Sequence, residues 1–371
     1  MFMQTVIRAN SAKTSLPLYR QVESYLRERI ASGEIGAGEM LPSVKQLCEQ
    51  FGGLNHLTVR QAIKNLSEDN LVRSVQGRGS FVTEHMARDR RIALVLPHLE
   101  DTLFIRIAKG AQEVLETGGV KTLILDSRGS EGIEAEHIGS LKNLPLDGAL
   151  IFPIANGNIA EQVFKLKMDN FCFVLVDRYF EDIAAPCVVV DNYQGGYDSA
   201  QYLVEQKRVR VAWIGETRST SARLRLKGFQ DALNDAGIAC PSTLIKNVEV
   251  ASDAPLPYHV AQEEGVIKAV EELLKQKPAP DAIVCCDDAD ALSTLKVLQA
   301  KKVRVPQDIA VIGFDDIPQS ALSTPPLTTV RQPMNELGRE AAKLLLERMQ
   351  NKNAPMVKKV LPVELVRRAS A

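Results

Sequence analysis

The spacing of apolar positions changes once along the chain, close to residue 84. Before that point apolar residues recur every three or four positions, as at Leu18, Val22, Leu26 and Ile30, which predicts amphipathic helices. After residue 90 the chain alternates continuous apolar runs, such as "RIALVLP" and "DAIVCCDD", with helical stretches. Apolar strands joined by helices are typical of parallel sheets that are covered on both faces. The pattern therefore predicts a small helical domain before a larger α/β domain.

Three helices and a hairpin are predicted in the first part. The first helix begins after Pro17 and ends near Gly33. The second, over "VKQLCEQFG", is introduced by Ser43 and Gln46, whose spacing is that of a capping box. The third begins after Asn55, a favourable N-cap, and two short strands come after it. Three helices and a hairpin in this order form the pattern of a winged helix-turn-helix domain.

The third helix has an apolar and a polar face. The apolar face consists of Val59, Ala62, Ile63 and Leu66. The opposite face presents Leu57, Arg60, Gln61 and Lys64 at spacings of three and four. The basic and amide side chains of this second face suit contacts to nucleic acid, and a plain solvated helix surface is the alternative interpretation.

The stretch "VRSVQGRGSFV" admits two interpretations. A Gly-x-Gly after a strand can open a phosphate-binding loop, but that loop needs a third glycine and then a helix. In this chain the next residues are "SFVT" and then a charged segment. Two glycines between short strands instead suit the tip of a hairpin, with Arg78 at its end. The sequence therefore predicts a wing that presents Arg78 to a polyanion.

The motifs "PLYRQV", "GAGEMLPSVKQLCEQFG", "TVRQAI" and "NLVRSVQGRGSFV" resemble, in this order, the GntR family of bacterial transcription factors. The resemblance implies that the third helix enters the major groove and that the wing reaches the minor groove or the backbone. Together with the polar face of the third helix it gives these candidate DNA contacts: Lys45, His56, Thr58, Arg60, Gln61, Lys64, Gln76, Gly77 and Arg78. Lys45 and His56 stand where the family usually has arginine, and "GGLNHL" is one residue longer than the family's segment.

Candidate ligand-site residues stand at the ends of many predicted strands of the second part. They are Pro97, Asp126, Asp177, Arg178, Asp191, Asp287, Asp288, Asp315 and Asp316. In open α/β sheets ligands bind beyond the carboxyl ends of the strands, and carboxylates and guanidinium groups can each bind two hydroxyls. The alternative for Asp191, Asp288 and Asp316 is that they cap the next helices.

The second part is similar to the effector domain of LacI/GalR repressors, which has the two-lobed fold of periplasmic sugar-binding proteins. The motifs are "LDGALIFP", "FVLVDRYF", "STSARLRLKGFQDALNDAGI" and "VPQDIAVIGFDDIPQSALSTPPLTTVRQPMNELGREAAKLLLERM". The resemblance implies a cleft between the lobes, with these ligand-binding residues: Phe104, Asp177, Arg178, Arg225, Asp287, Asp315 and Gln332. Asp287 stands where the family often has asparagine, and "PHLEDTLF" replaces the family's Asn-Pro-Phe loop.

The predicted fold class is therefore α/β, with an N-terminal winged helix-turn-helix and a two-lobed domain like that of periplasmic binding proteins. The DNA-binding domain is predicted over residues 1–84, a linker over 85–90 and the effector domain over 91–371. Within the effector domain, lobe 1 is predicted at about 91–190 and 333–358, and lobe 2 at about 191–332 and 359–371.

Charge and cysteine content add to this interpretation. Residues 1–91 contain 13 Lys and Arg against 9 Asp and Glu, whereas the remainder contains 32 against 37, so a weakly basic head precedes an acidic body. The six cysteines form no C-x-x-C pair and suit reduced thiols in a cytoplasm rather than disulfides or a zinc site. No signal peptide or transmembrane run is visible in the sequence.

These features predict a ligand-responsive transcriptional regulator that acts as a repressor. The combination of the two parts resembles arabinose-type repressors. We expect a cytoplasmic homodimer that binds palindromic operator DNA and a small polar effector, most simply a sugar. A sugar-binding protein of the transport type would account for the body alone. An enzyme is disfavoured, since neither a nucleotide-binding loop nor a nucleophile beside a base is recognisable, and no cofactor or metal is expected.

Overall fold

The computed structural model describes residues 17–69, 71–83, 90–154, 158–248, 258–351 and 354–371. The chain divides after Asp89 into two compact units. The predicted linker, residues 85–90, lies outside the described residues except for Arg90, which begins the first strand of the second unit. Within the described ranges, no helix is both long and apolar enough to cross a membrane.

The first unit has the predicted three helices and hairpin. Its elements are α1 (Leu18–Ala31), α2 (Val44–Gln50), α3 (His56–Glu68), β1 (Val72–Val75) and β2 (Gly79–Val82). The capping box is confirmed, because the Ser43 side chain accepts from the Gln46 amide and the Gln46 side chain accepts from the Ser43 amide. Asn55 caps α3 by accepting from the Leu57 amide. These caps fix where α2 and α3 begin, and so fix which residues of α3 lie on its surface.

A third backbone segment joins the hairpin and was not predicted. Met40 pairs with Phe81 in an antiparallel bridge. The Leu41 amide donates to Ser80 O at 2.8 Å, and the Val82 amide donates to Glu39 O at 2.8 Å. The sequence around Met40 contains glycine and proline and predicts only a loop, since a single bridge leaves no periodic pattern. The pairing holds β2 against the segment that precedes α2.

The second unit consists of two lobes, each built on a six-stranded sheet. The chain first builds most of lobe 1, with the elements β3 (Arg90–Leu96), α4 (Thr102–Thr117), β4 (Val120–Asp126), α5 (Glu131–Ser140), β5 (Gly148–Ile151), α6 (Asn158–Met168), β6 (Phe173–Val176) and β7 (Cys187–Val190).

The chain then builds lobe 2 and returns. Lobe 2 contains α7 (Asn192–Glu205), β8 (Val211–Gly215), α8 (Thr220–Asp235), β9 (Ile245–Asn247), α9 (Tyr258–Leu274), β10 (Ala282–Cys285), α10 (Asp288–Ala300), β11 (Ala310–Asp315), α11 (Pro318–Leu322) and β12 (Thr328–Arg331). The closing elements are α12 (Met334–Gln350), β13 (Lys358–Leu361) and β14 (Glu364–Val366). The strands of lobe 1 run in the order β13-β7-β6-β5-β3-β4, and those of lobe 2 in the order β14-β12-β11-β10-β8-β9.

Three chain crossings join the lobes. They lie after β7, after β12 and between β13 and β14. The third lies farther along than residue 358, where the sequence placed it, because β13 pairs in register with β7 of lobe 1 through Leu361. Short strands such as "KKVL" and "ELV" carry no signal for the sheet that they will join, so this boundary depends on tertiary pairing.

Helix pairs in both lobes meet through glycine. A Cβ added to Gly196 on α7 would lie 2.0 Å from the Arg225 carbonyl oxygen on α8, and one added to Gly228 would lie 2.0 Å from the Tyr193 carbonyl oxygen. In lobe 1, a Cβ on Gly338 of α12 would lie 1.9 Å from a backbone oxygen of α4. Real Cβ atoms do not approach this closely, so only glycine permits these helix separations.

Candidate nucleic-acid interface and ligand cavity

The polar face of α3 lies on the surface of the first unit. Val59, Ala62, Ile63 and Leu66 are buried, as the spacing predicted. The candidate contacts on α3 are all exposed except Thr58, which is partly buried: they are His56, Thr58, Arg60, Gln61 and Lys64. Gln61 donates to Asn65 at 2.9 Å, and Lys64 lies 3.5 Å from Glu68, so both side chains have neighbours on the same helix. Such exposed pairs are weak and can exchange for contacts to phosphate.

The hairpin tip has the geometry that the two glycines suggested. Gly77 has φ +76° and Gly79 has φ +116°, both in the region that glycine alone adopts without strain. Arg78 is exposed between them, beside exposed Gln76. Lys45 is also exposed, in the first turn of α2. The nine candidate DNA contacts therefore lie at or near the surface of the first unit, and their roles stay predictions.

A cavity of about 120 Å³ lies between the two lobes of the second unit. Residues of both lobes line it, at the carboxyl ends of the strands, as expected for an open α/β fold. Six of the seven predicted ligand-binding residues are among them, namely Phe104, Asp177, Arg178, Arg225, Asp287 and Asp315. The crossing of the chain between lobes thus brings together residues that are far apart in the sequence.

Arg225 is the buried cation at the base of this cavity, with 5% of its surface exposed. Its Nε donates to Asn192 Oδ1 at 2.8 Å, and one terminal nitrogen donates to the Cys286 carbonyl oxygen at 2.8 Å. The guanidinium lies 3.6 Å from the centroid of the Phe314 ring, a cation–π contact. The planar group is therefore fixed on several sides before any ligand arrives, which lowers the entropy cost of binding.

Asp315 faces Arg225 and adopts an unusual backbone conformation. Its carboxylate lies 3.7 Å from the Arg225 guanidinium, and its φ is +117°. Such backbone strain in a residue with a side chain is found mainly at functional sites. Gln332 does not line the cavity. It is buried behind Asp315 and donates to the Asp315 carboxylate, so it orients that group and is placed to act on a ligand only through it.

The wall from lobe 1 contains Asp177, Arg178 and Phe104. The Arg178 guanidinium donates to the carbonyl oxygens of Pro153 and Ile154 and lies 3.5 Å from Asp177. Phe104 is 4% exposed and meets Phe152 edge-to-face at 6.0 Å. Only a small part of the Phe104 ring reaches the cavity. Phe104 is therefore chiefly part of the hydrophobic core of lobe 1.

Sequence reasoning missed the segment after β8, which supplies Glu216, Arg218, Ser219 and Ser221 to the cavity. Burial would raise the pKa of Glu216, but the charge of Arg178 and hydrogen bonds from Ser219 and the Arg218 amide lower it. Glu216 thus remains a carboxylate held by donors. The signal was available in "GETRST", a polar run directly after a strand, where α/β folds place ligand residues.

Comparisons with known proteins agree with the folds of both units. Residues 18–82 match the model of bacterial regulatory proteins of the gntR family, and residues 200–371 match a periplasmic binding protein-like domain. The arabinose metabolism transcriptional repressor of Geobacillus stearothermophilus is 28% identical over 92% of this chain and 94% of its own length. This chain is a GntR/LacI-type transcriptional regulator.

Further relatives of the regulator have the same class of function. The transcriptional repressor CytR of Escherichia coli K12 is 29% identical over 76% of the regulator and 79% of its own length. The solved structure of a CelR–cellobiose complex superposes with a TM-score of 0.68 at 25% identity, covering 97% of the regulator and all of that chain. The predicted fold class and the regulator function are confirmed. The transport alternative is not supported, and proteins of this kind are not enzymes.

Three strand-end aspartates of the regulator have structural roles, but only Asp191 is the helix cap that the alternative interpretation assigned to all three. Asp191 caps α7 by accepting from Gln194 at 3.0 Å. Asp288 is fully buried, accepts from the Ile317 amide and two hydroxyls, and does not line the cavity. Asp316 forms ion pairs with Arg331 at 2.7 Å and with Arg368 at 2.6 Å. None of the three is available as a ligand contact.

Polar contacts between the lobes of the regulator flank the cavity. Arg218 of lobe 2 lies 3.1 Å from Glu131 of lobe 1. The Thr220 hydroxyl exchanges hydrogen bonds with the backbone of Tyr179, at 3.2 Å from its nitrogen and 3.1 Å from its oxygen. These contacts draw the lobes together beside the cavity, so an opening of the cleft must break them.

Proposed function

We propose that this regulator is a cytoplasmic homodimeric repressor that binds palindromic operator DNA through α3 and the wing. A small polyhydroxylated effector, of the sugar class, binds in the cavity between the lobes and releases the protein from its operator. The observation that carries the proposal is the convergence of Arg225, Asp315, Asp177 and Asp287 from four separate segments on one cavity.

The chemistry of the cavity favours hydroxyl groups. Carboxylates accept two hydrogen bonds from neighbouring hydroxyls, and a planar guanidinium donates two in parallel. Asp315 supplies a carboxylate and Arg225 a guanidinium, and the two groups lie side by side, 3.7 Å apart. The relatives named for arabinose metabolism and the solved cellobiose complex support an effector of this class.

The proposed coupling is a hinge movement of the lobes about the three crossings. Effector that contacts both lobes stabilises the closed form, and the contacts of Glu131 with Arg218 and of Tyr179 with Thr220 already join the lobes beside the cavity. In a homodimer this movement changes the separation of two heads that must match half-sites one or more DNA turns apart. A coupling free energy of about 1–3 kcal/mol would change operator affinity about 5- to 150-fold.

Arg60→Ala tests the DNA part of the proposal. We expect operator affinity to fall about 5- to 150-fold, because one good side-chain contact to a base or phosphate is worth roughly 1–3 kcal/mol. The measurement is a binding titration on a DNA fragment that the wild-type protein has selected from a random library. Lys165→Ala, which removes an exposed cation from α6, is the matched control. Equal affinities of Arg60→Ala and wild type would contradict the assignment of α3.

Arg78→Ala tests the wing separately. Each phosphate that a side chain neutralises releases about 0.9 counterions when the protein binds DNA. Without the Arg78 contact, the slope of log affinity against log salt concentration should therefore become shallower by roughly one. The loss of affinity should be similar on all sequences, because phosphates carry no base information. An unchanged slope would show that Arg78 stays in solvent when the protein binds DNA.

A further inference from the structure

The charges that line the cavity do not balance. Its lining contains three guanidiniums, and each has a carboxylate nearby: Arg225 lies 3.7 Å from Asp315, Arg178 lies 3.5 Å from Asp177, and Arg218 lies 3.1 Å from Glu131. Each of these cations already has an opposing carboxylate, and the lining carries further acidic groups beyond these pairs.

Besides Glu216, which Ser219 and backbone amides hold, two carboxylates of the lining form no ion pair with any described residue. Asp101 belongs to lobe 1, directly before α4, and Asp287 belongs to lobe 2, directly before α10. Removal of its carboxylate from bulk water raises the pKa of Asp101. The hydrogen bond from the Leu103 amide and the charge of Arg178 lower this pKa, whereas the negative charges of Asp287 and Asp177 raise it further. The two lobes therefore bring like charges toward one another when they close on the cavity.

Helix capping explains only part of this arrangement. Asp101 accepts from the Leu103 amide at 2.8 Å, and Asp287 accepts from the Asp290 amide at 2.8 Å. Asparagine or serine caps a helix as well as aspartate does. Capping thus accounts for an oxygen at each position but not for two negative charges that face one cavity from opposite lobes.

A second observation points to a missing partner at the same place. Asp177 is 3% exposed, lines the cavity, and its Oδ1 has no hydrogen-bond partner among the described residues. A buried carboxylate oxygen without a donor costs free energy. A ligand with several N–H donors and a positive charge satisfies such an oxygen and offsets the repulsion between the two lobes.

We propose that the effector carries a protonated amine, as a 2-amino-2-deoxy sugar does, and that the ammonium group lies between Asp101 and Asp287 while hydroxyls meet Arg225 and Asp315. This inference rests on the proposed function, since it specifies the effector of the same cavity. Closure of the lobes then brings two carboxylates onto one cation. A neutral sugar leaves them facing each other, and closure is weaker.

Matched pairs of probes test the inference by calorimetry on the full-length protein. Glucosamine, galactosamine and mannosamine are each compared with the parent sugar and the N-acetyl derivative, at a pH at which the amine is protonated. We expect at least one amine to bind about tenfold or more tightly than both of its neutral counterparts, because hydrogen bonds to charged groups are worth about 1.5–3 kcal/mol. Equal or tighter binding of the neutral sugars overturns the inference but leaves the proposed function standing.

Failure of every amine in the panel also overturns the inference, whereas failure of every polyhydroxylated compound in a wider thermal-shift screen overturns the proposed function.

Two charge-removing variants address the position of the ammonium group. Asp287→Asn and Asp101→Asn keep the caps of α10 and α4, so both proteins should fold with nearly unchanged stability. We expect each to weaken amine binding about tenfold or more and to weaken binding of the neutral parent by a clearly smaller factor, since the parent loses no ion pair. Asp191→Asn, the same change at the cap of α7 away from the cavity, is the control and should bind as wild type does. Equal losses for amine and parent in the cavity variants would overturn the assignment.

Discussion

Arg225→Ala should abolish effector binding and destabilise the second unit, while the first unit keeps its DNA-binding surface. The substitution removes the donor group of the cavity and leaves Asp315, which is 7% exposed, without its opposing cation. Removing one partner of a buried pair typically costs about 3–5 kcal/mol. The expected result is no effector-induced thermal shift, a lower free energy of unfolding, and an operator complex that effector no longer dissociates.

The pH dependence of this variant has a definite sign. Burial already raises the pKa of Asp315 against the opposing charge of Arg225. Without Arg225 the pKa rises further, so the folded variant holds a proton that the unfolded chain releases. The variant should therefore lose stability relative to wild type as the pH rises through and above the raised pKa that Asp315 has in the wild-type protein, because only the variant still holds the proton there. Arg225→Lys keeps a positive charge and should recover stability but not affinity, because an ammonium lacks the planar donor pair. A thermal shift that survives in Arg225→Ala would refute the cavity assignment.

Gly196→Ala should be among the most damaging single-methyl additions in the chain. The new Cβ would lie 2.0 Å from the Arg225 carbonyl oxygen, so α7 and α8 must move apart. Overpacking of this kind costs about 1–3 kcal/mol and more where backbone has to shift. Since α8 carries Arg225, the same displacement should weaken effector binding. Urea unfolding followed by the fluorescence of Trp213 measures the effect, because this single tryptophan packs on Phe229 of α8 at 5.5 Å.

Gly132→Ala is the matched control for this prediction. Gly132 also lies in a helix, α5, but the nearest atom to an added Cβ is the Ser130 hydroxyl at 3.8 Å. Alanine is preferred to glycine inside a helix, so the control should be neutral or slightly stabilising. Comparable stability of Gly196→Ala and wild type would mean that α7 and α8 are not held at so close a separation.

Local elements of this protein can be predicted from its sequence, whereas pairings between distant segments cannot. The helices of the head follow from apolar spacing and from local caps such as Ser43 and Asn55, whose partners lie two or three residues away. The bridge of Met40 to Phe81 is different, because its partners are 41 residues apart in sequence and it leaves no repeating pattern.

The cavity shows the same division. Arg225 and Asp315 were predicted from motifs that the chain shares with a known family, and they do line it. Gln332 belongs to a motif of the same family but lies behind Asp315, outside the cavity. The direction of a side chain at the end of β12 depends on packing, which the motif does not show. Asp101 resembles an ordinary N-cap in sequence, and only the meeting of two lobes shows that it faces Asp287.

The three crossings have a consequence for synthesis on the ribosome. Lobe 1 is closed by α12 and β13, and lobe 2 is closed by β14, so both sheets receive a member from the last part of the chain. The head needs only residues that emerge early, and domains generally fold as they appear during translation. A nascent chain therefore carries a complete DNA-binding head well before either lobe can assemble the cavity that regulates it. Truncation near the C-terminus should yield a protein that still has its head but cannot respond to effector.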